Sequence, residues 1–311
     1  MTSLDNYKSY ESQYMEIANT IMTKGYLQMN QRTGVGTYRI PHAVMTVDLE
    51  KEFPILKSKF VTWKSALQEI LWIMQKQSND INKLGNHIWD AWADETGSIG
   101  AAYGYQVAKP VTENGITYDN QVDYVLRRLA NDSSDRRAVI NLWDVDDIQD
   151  MALTPCCYSS VWNIIDGKLN CMLVQRSADF LVGVPFNTTQ YAILTHLFAR
   201  HLGIGVGKLT HVMADCHIYN YESHVTGFHK MKNNYEKICY LNYLRDVVER
   251  DPNPSITPQD NEELEKCKHI TYSNPKLVIN TTETNFFSIS VDDIRVEDYS
   301  YMEKIKFDVA T

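Results

Sequence analysis

Residues 159–179 contain the pattern that most restricts the fold of this chain. Two runs rich in strand-forming residues flank Asp166-Gly167, and this dipeptide is typical of a tight turn between antiparallel strands. A long helix is predicted over residues 188–203, which begin with polar residues and end in glycine, and another strand is predicted over 208–220. A hairpin followed by a long helix and a strand predicts an α+β or mixed α/β fold.

Three further helices are predicted from the spacing of apolar residues. Residues 7–25 repeat tyrosines and isoleucines at helical intervals and stop at glycine, and residues 121–132 also have a helical pattern. Residues 63–76 are apolar on nearly every face, which predicts a deeply buried helix, yet Glu69 lies in its middle. A carboxylate in that position requires an explanation. The stretch 136–144 is rich in strand-forming residues and leads toward two adjacent cysteines.

The C-terminal part of the chain gives weaker signals. Residues 304–311 are predicted to form a strand, and residues 251–263 are too polar and Pro-rich for a regular element, so they are predicted to be a loop or an insertion. No separate hydrophobic core is apparent beyond that segment. The sequence therefore predicts a single domain over residues 1–311.

The charge of the chain limits its partners. A net charge of -9 argues against a surface that neutralises a nucleic-acid backbone, because such a surface needs clustered Lys and Arg. Any anionic ligand must then be held by a few local arginines. The N-terminus lacks a signal-peptide pattern and no run approaches the ~18 apolar residues of a membrane span. A cytoplasmic, unanchored protein is expected.

The cysteine pattern predicts reduced thiols. There are neither C-x-x-C pairs nor the spacing of a disulfide framework, and adjacent Cys216 and His217 would point to opposite faces of a strand, which disfavours a zinc site. No metal site is therefore expected. The six cysteines are Cys156, Cys157, Cys171, Cys216, Cys239 and Cys267.

Cys156 follows Pro155 at a predicted turn between two strands. A catalytic cysteine acts as a thiolate, so it needs partial exposure and a nearby cation or dipole. The alternative is that Cys156 and Cys157 are small buried hydrophobic residues, which is common for cysteine. Spacing alone leaves both interpretations open.

Two other segments combine polar groups. Residues 175–179 place an arginine, a serine and an aspartate at a strand end, which suits a phosphate monoester but also an ordinary solvated strand end. Strand alternation puts Asp215, His217 and Tyr219 on one face. This face suits a sugar, although a satisfied core network is an equal alternative. The glycines of 32–37 do not fit a known phosphate-binding spacing and are weak evidence by themselves.

Seven short motifs in the sequence occur together in the order and approximate spacing of one known enzyme family. Their order and approximate spacing are those of thymidylate synthase, and the sequence resembles this family from about residue 7 to the C-terminus. The resemblance implies an α+β, thymidylate synthase-like fold in which mixed β-sheets pack with long helices in a single domain. The motifs are EILW at Glu69, WDAWADE over 89–95, DRR at Arg137, LTPC at Cys156, QRSAD at Asp179, VPFN at Asn187 and HIY at His217.

The resemblance implies covalent catalysis on dUMP. Cys156 would add to C6 of the uracil ring, which makes C5 a carbon nucleophile. The cosubstrate 5,10-methylenetetrahydrofolate would supply a one-carbon unit and a hydride, giving dTMP and dihydrofolate. Glu69 would have a raised pKa and move protons through water. The residues implied to be catalytic are Cys156, Glu69, Arg176, Asn187 and Tyr103.

The resemblance also implies the binding residues. Arg136 and Arg137 would reach the phosphate from the other subunit, which implies a homodimer with shared active sites, and Arg32 would join them. His217 and Tyr219 would hold the sugar hydroxyl. The residues implied to bind the substrate are Arg32, Arg136, Arg137, Gln175, Arg176, Ser177, Asp179, Asn187, His217 and Tyr219. The residues implied to bind the folate are Glu69, Trp89, Asp179, Gly183 and Ala310. Ala310 and Val309 belong to a tail segment that is implied to close over the folate.

Asn187 bears on the choice of pyrimidine. A side-chain amide offers one donor and one acceptor, which complement O4 and N3–H of uracil, while cytosine presents the reverse pattern. This preference requires neighbours that fix the amide orientation. The related cytidylate hydroxymethylases have Asp at this position, so uracil is the expected base.

The sequence departs from the family pattern at several positions. Cys157 stands where many relatives have histidine and is expected to be a packing residue, Gln31 stands where Asp is common, and the lead into His217 lacks the usual glycines. Thr311 replaces an aliphatic end and affects the closing tail. A deoxyuridylate or deoxycytidylate hydroxymethylase, in which water replaces the hydride, is the nearest alternative. More distant ones are a cysteine hydrolase with Cys156 and His217, and a nucleotide-binding regulator without catalysis.

Overall fold

The computed structural model describes residues 7–31, 33–251 and 254–308. It contains helices and a mixed sheet, which confirms the predicted α+β class. The helices are α1 (Tyr10–Lys24), α2 (Trp63–Met74), α3 (Gly104–Ala108), α4 (Gln121–Asn131), α5 (Gly183–Leu202), α6 (Glu222–Arg250), α7 (Pro258–Lys266) and α8 (Lys268–Thr271). The strands are β1 (Tyr26–Met29), β2 (Gly36–Asp48), β3 (Val111–Glu113), β4 (Ile116–Tyr118), β5 (Val139–Asn141), β6 (Cys157–Ile165), β7 (Lys168–Gln175), β8 (Ala178–Asp179), β9 (Gly205–Tyr219), β10 (Lys276–Ile279) and β11 (Ile294–Glu297).

The principal sheet has the strand order β1-β2-β9-β7-β6-β5, and β8 pairs with β9. Strands β6 and β7 form the predicted antiparallel hairpin, with Asp166 and Gly167 at φ of 52° and 69° in the turn. Helix α5 then carries the chain back, so that β9 runs parallel to β7. Because parallel strands end at the same edge of a sheet, the carboxyl ends of β7 and β9 lie side by side.

The predicted helices are present, with shifts at their ends. Helix α5 begins at Gly183, five residues before the predicted start. Pro185 fits the first turn of a helix, where its missing N–H is not needed, and Thr188 and Thr189 are buried with their hydroxyls donating to the carbonyls of Val184 and Pro185. The polar residues are therefore inside the helix, and β5 is shorter than the strand predicted over 136–144.

Two predictions about the C-terminal part were wrong. Residues 304–308 form no strand, because Phe307 packs against the ring of His224 instead of pairing in a sheet. The segment 251–263 contains the start of α7, where the Thr257 hydroxyl accepts a hydrogen bond from the backbone N–H of Asp260 and Pro258 occupies the first helical position. This combination of a capping Thr and a first-turn Pro starts a helix in spite of the polar composition.

One large hydrophobic cluster extends from Tyr10 to Ile294 and places α1, α2 and α5 around one face of the sheet. A small second cluster joins the far half of α6 to α7. All six cysteines are thiols. Within the described ranges, none of the helices combines the length and hydrophobicity that crossing a bilayer requires.

Candidate active site

A deep cleft lies where β7 and β9 end and α5 begins. Its volume is about 1340 Å³, which exceeds the roughly 300–1,000 Å³ of a pocket for one drug-sized ligand. Of the residues predicted from the sequence, those that line it are Glu69, Trp89, Tyr103, Cys156, Gln175, Arg176, Ser177, Asp179, Gly183, Asn187, His217 and Tyr219. The fold thus brings together residues that lie up to 150 positions apart in the chain.

The two adjacent cysteines have different environments. Cys156 is partly exposed and lines the cleft, whereas Cys157 is the first residue of β6, is 5% exposed and belongs to the hydrophobic core. Burial raises the pKa of the Cys157 thiol well above its ordinary value, so this thiol does not ionise readily. The structure therefore favours Cys156 as the reactive cysteine and agrees with a packing role for Cys157.

Arg176 lies directly beside Cys156. The backbone N–H of Arg176 donates to the carbonyl of Cys156 at 2.9 Å, because β6 and β7 are paired there. The guanidinium donates to the carbonyls of Pro155 and Thr154 at 3.0 and 2.9 Å and to the Thr154 hydroxyl at 2.6 Å. It also stacks over the ring of Trp143 at 5.3 Å. These contacts hold a cation against the two residues that precede the candidate nucleophile.

Tyr103 closes the other side of the cysteine. Its hydroxyl accepts a hydrogen bond from the backbone N–H of Cys156 at 3.2 Å, and its ring meets Trp89 edge-on at 5.1 Å. The backbone of Tyr103 has φ of 45°, a conformation that costs energy in a non-glycine residue. Gly104 follows because a Cβ there would lie 2.1 Å from the carbonyl oxygen of Ser78. The chain is thus held so that this tyrosine faces the cysteine.

Glu69 projects from the buried helix α2 into the cleft, which answers the question raised by its position in the sequence. Its Oε1 accepts a hydrogen bond from Nε1 of Trp89, and its Oε2 accepts one from Nε2 of Gln190 at 2.5 Å. Burial raises the pKa of Glu69 to about 7, although both hydrogen bonds act in the opposite direction. A carboxyl with this pKa can both donate and accept a proton near neutral pH.

Asn187 is the fifth residue of α5 and lies three residues before Gln190. Its Nδ2 donates to Oε1 of Gln190 at 3.0 Å. Residues three apart on a helix lie on the same face, so both side chains reach the cleft. The amide of Asn187 therefore has a neighbour of the kind that fixes its orientation.

The end of β9 carries the polar face predicted from strand alternation. Nδ1 of His217 lies 2.8 Å from the carbonyl oxygen of Asp215, so Nδ1–H donates to this oxygen, and in the neutral form of the ring Nε2 is an acceptor. The ring of Tyr219 lies edge-on to His217 at 5.2 Å. Asp215 has φ of 49°, and its carboxylate is held by Arg39 in a pair of hydrogen bonds of 2.8 and 2.5 Å.

Gln175 is buried and supports its neighbours. Its Oε1 accepts a hydrogen bond from Nε2 of His211 at 2.8 Å, and its Nε2 donates to the carbonyl of Ser177 at 2.9 Å. Burial lowers the pKa of His211 to about 3, so its ring is neutral. The side chain of Gln175 thus fixes the backbone next to Ser177 and Arg176.

The start of α5 carries two of the predicted folate-contacting residues. Oδ1 of Asp179 accepts a hydrogen bond from the backbone N–H of Val182 at 3.3 Å, and Gly183 is the first residue of the helix. Lys59 lies in the same part of the cleft, where its ammonium donates to the carbonyl of Leu181 at 2.7 Å and lies 5.0 Å from the centre of the Phe307 ring. Burial lowers the pKa of Lys59 to about 8.

The remaining predicted residues are not part of this cleft. Arg136 and Arg137 are exposed and lie outside it, just before β5. Arg32, Ala310 and the neighbouring Val309 and Thr311 fall outside the described residues.

Several residues of the site were missed from the sequence, Gln190 and Arg39 among them. Gln190 was not singled out, although its spacing of three positions from Asn187 predicts that the two amides share one face of the helix. Arg39 was also missed, because its position depends on the antiparallel pairing that sets it opposite His217. That pairing is not visible in the sequence.

The cleft is positively charged relative to the rest of an acidic protein. Within the described chain its lining has five basic side chains, Arg39, Lys59, Arg176, Lys304 and Lys306, and three acidic ones, Glu69, Asp179 and Asp215. A local excess of positive charge attracts anionic ligands even when the whole molecule is acidic. The site is suited to a phosphorylated substrate.

Comparisons with known proteins agree with the motifs. The family model described as thymidylate synthase matches residues 12–311. A thymidylate synthase of Clostridium beijerinckii is 42% identical over 97% of this chain and 98% of its own, and a thymidylate synthase of Bacillus phage phi3T is 34% identical over 97% and 99%. The solved structure of thermostable thymidylate synthase A from Bacillus subtilis superimposes with a TM-score of 0.78, at 32% identity over 98% of this chain and 100% of that chain.

Proposed function

The chain belongs to the thymidylate synthase family, a family of methyl-transferring enzymes, and we propose that it converts dUMP to dTMP with 5,10-methylenetetrahydrofolate. The observation that carries this proposal is the meeting of Cys156, Arg176, Asn187 and Glu69 in one cleft. A nucleophile, a phosphate-binding cation, a pyrimidine-reading amide and a titratable carboxyl are the groups that this reaction needs.

Cys156 is the proposed nucleophile. Its thiolate would add to C6 of the uracil ring, and the electrons of the C5–C6 double bond would move toward C5 and O4. Arg176 would stabilise the thiolate and bind the phosphate with its remaining donors. His217 and Tyr219 would hold the sugar, since Nε2 of His217 is left as an acceptor for a hydroxyl. Asn187 would read the base.

Glu69 is the proposed proton carrier. The new carbon nucleophile carries negative charge on O4, and a proton must later leave C5. With a pKa of about 7, this carboxyl holds a proton in part of the molecules at neutral pH. It can therefore donate toward O4 through water and later accept a proton in the same turnover.

The remaining space of the cleft suits a folate. The volume of about 1340 Å³ leaves room beside a nucleotide, and Trp89, Asp179 and Gly183 line the wall next to Glu69 and α5. Bound methylenetetrahydrofolate would supply the one-carbon unit and the hydride. The chain's own contribution is to orient it against C5 and to exclude water, which would otherwise trap the one-carbon unit as a hydroxymethyl group.

A homodimer with shared active sites is part of the proposal. On the sheet face away from the core, Val44, Val212 and Val174 lie side by side across β2, β9 and β7, and Val44 and Met172 are 53% and 38% exposed. An exposed apolar sheet face of this kind favours association with a second copy. Such a dimer would bring Arg136 and Arg137 to the partner's phosphate site.

The activity is tested with purified protein, dUMP and methylenetetrahydrofolate. Dihydrofolate absorbance is followed while the nucleotide product is weighed by mass spectrometry. Dihydrofolate formed in step with dTMP is expected. Hydroxymethyl-dUMP without dihydrofolate would instead identify a hydroxymethylase, and turnover without folate would indicate a hydrolase.

The shared site is tested by mixing two inactive variants. Cys156→Ser lacks the nucleophile, and the double variant Arg136→Ala, Arg137→Ala lacks the proposed partner contacts. Exchange of subunits would leave intact one of the two sites in each hybrid dimer, so roughly a quarter of the wild-type activity is expected at equal concentrations. No recovery, in a mixture that native mass spectrometry shows to contain the hybrid dimer, would contradict the shared site.

A further inference from the structure

Gln190 connects the residue that reads the pyrimidine to the carboxyl that moves protons. It is 3% exposed, donates from Nε2 to Glu69 at 2.5 Å and accepts at Oε1 from Asn187 at 3.0 Å. Trp89 donates to the other oxygen of the same carboxyl. The four side chains therefore form one continuous row of hydrogen bonds along the wall of the cleft.

The direction of this row is set by Glu69. While Glu69 is ionised, its carboxylate only accepts hydrogen bonds, so the group facing its Oε2 is the NH₂ of Gln190, as the structure has it. The oxygen of Gln190 then faces Asn187, which must present its own NH₂. Turning either amide around would bring two oxygen atoms together at hydrogen-bond distance in a buried site, at the cost of unsatisfied acceptors.

We propose that Gln190 is a specificity-determining positioning residue, which fixes the amide of Asn187 so that this amide accepts from N3–H of uracil and rejects cytosine. The second N–H of Asn187 remains for O4 of uracil. Cytosine has an acceptor at N3 and a donor at C4, and it would require the opposite orientation of Asn187. This inference rests on the proposed function, because it assigns a role within the same nucleotide site.

The test replaces Gln190 with Met, which has similar length and no hydrogen-bonding amide. The binding constants of dUMP and dCMP are measured for each protein, dCMP as a competitive inhibitor of the dUMP reaction. In Gln190→Met the amide of Asn187 is free to turn, so the preference for dUMP over dCMP is expected to fall about tenfold, the effect of one lost buried hydrogen bond. An unchanged preference would overturn the inference.

A control variant separates positioning from general damage. Thr195 lies on the same helix, is fully buried and lies outside the cleft, and its hydroxyl donates to the carbonyl of Tyr191 at 2.6 Å. Thr195→Val removes a buried polar group of α5 and is expected to leave the dUMP preference unchanged. A loss of preference in this variant equal to that of Gln190→Met would show that helix damage is the cause and would overturn the inference.

A double-mutant cycle with Asn187→Asp gives a second readout. Because Gln190 acts through the amide of Asn187, the Gln190→Met change is expected to alter the preference about tenfold with Asn187 present and less than about threefold with Asp there. Equal effects in both backgrounds would contradict positioning. If the wild-type protein does not turn over dUMP, the proposed function fails; if it does but Gln190→Met keeps its preference, only this inference fails.

Discussion

The Glu69→Gln variant tests whether burial controls the ionisation of the central carboxyl. Burial raises the pKa of Glu69 from its ordinary 4.5 to about 7 in the folded protein, so folding favours the protonated form. A group with a raised folded pKa contributes stability that is fully present below the unfolded pKa and is lost as the pH rises through the folded pKa. The affected window therefore runs from the ordinary value of 4.5 to slightly above 7.

The magnitude follows from the difference between the two pKa values. Between about pH 5 and about pH 8 the wild-type protein is expected to lose about 2 to 3 kcal/mol of unfolding free energy through Glu69, since one pKa unit corresponds to about 1.4 kcal/mol. The variant has no titratable group there, and the mismatch of its amide with Trp89 or Gln190 adds an offset that does not depend on pH. The unfolding free energy of Glu69→Gln relative to that of the wild type should therefore rise by the same amount between about pH 5 and about pH 8.

Urea unfolding at several pH values measures the effect. Other buried groups, such as His196 and His211, titrate in both proteins, so their contributions cancel in the difference. If the unfolding free energies of the variant and the wild type changed with pH in parallel, burial would not raise the pKa of Glu69, and the reasoning would be refuted. The variant is also expected to lose turnover, because its amide cannot exchange a proton.

Three further predictions follow from the site and the fold. Cys156→Ser should lower kcat at least about 10³-fold. Cys157→Ala should keep turnover and lose about 1 kcal/mol of unfolding free energy, and a Cys157→Ala variant without turnover would contradict the assignment of Cys156 as the reactive cysteine. Arg39→Gln should raise the KM for dUMP about tenfold through loss of a charge-assisted hydrogen bond to Asp215, with little change in kcat, and steady-state kinetics showing an unchanged KM would count against it. Thr257→Ala should cost about 1 kcal/mol in urea unfolding by removing the cap of α7, with activity unchanged, and an unaltered unfolding curve would show that the cap is unimportant.

Elements whose signals are local could be predicted from the sequence. The hairpin around Asp166-Gly167 depends on the turn dipeptide itself, and helix α2 depends on the apolar spacing of its own residues. The start of α7 was predicted wrongly because the polar, Pro-rich composition of 251–263 masks the local signal of its capping residue, Thr257. The tail at Phe307 was misjudged because its alternation resembles a strand, although its partner is the side chain of His224.

The contacts that orient the site could not be predicted in the same way. Arg39 and Asp215 are 176 positions apart and meet only because β2 pairs with β9. Glu69 and Gln190 are 121 positions apart and meet where α2 packs on α5. Motifs identify the residue types, whereas the direction of a hydrogen bond depends on a neighbour that another part of the chain supplies.

The side chain of Gln190 contacts both Glu69 and Asn187, whereas Cys157 packs in the core beside the nucleophile. With an apolar thiol buried beside the nucleophile, Glu69 receives its side-chain hydrogen bonds from Trp89 and Gln190. Protonation of Glu69 makes its carboxyl a weaker hydrogen-bond acceptor for the amide of Gln190, and Gln190 in turn orients Asn187. The proposed roles of Glu69 and Asn187 therefore predict that a substitution at Gln190 affects both proton transfer and base recognition, whereas a substitution at Cys157 affects neither.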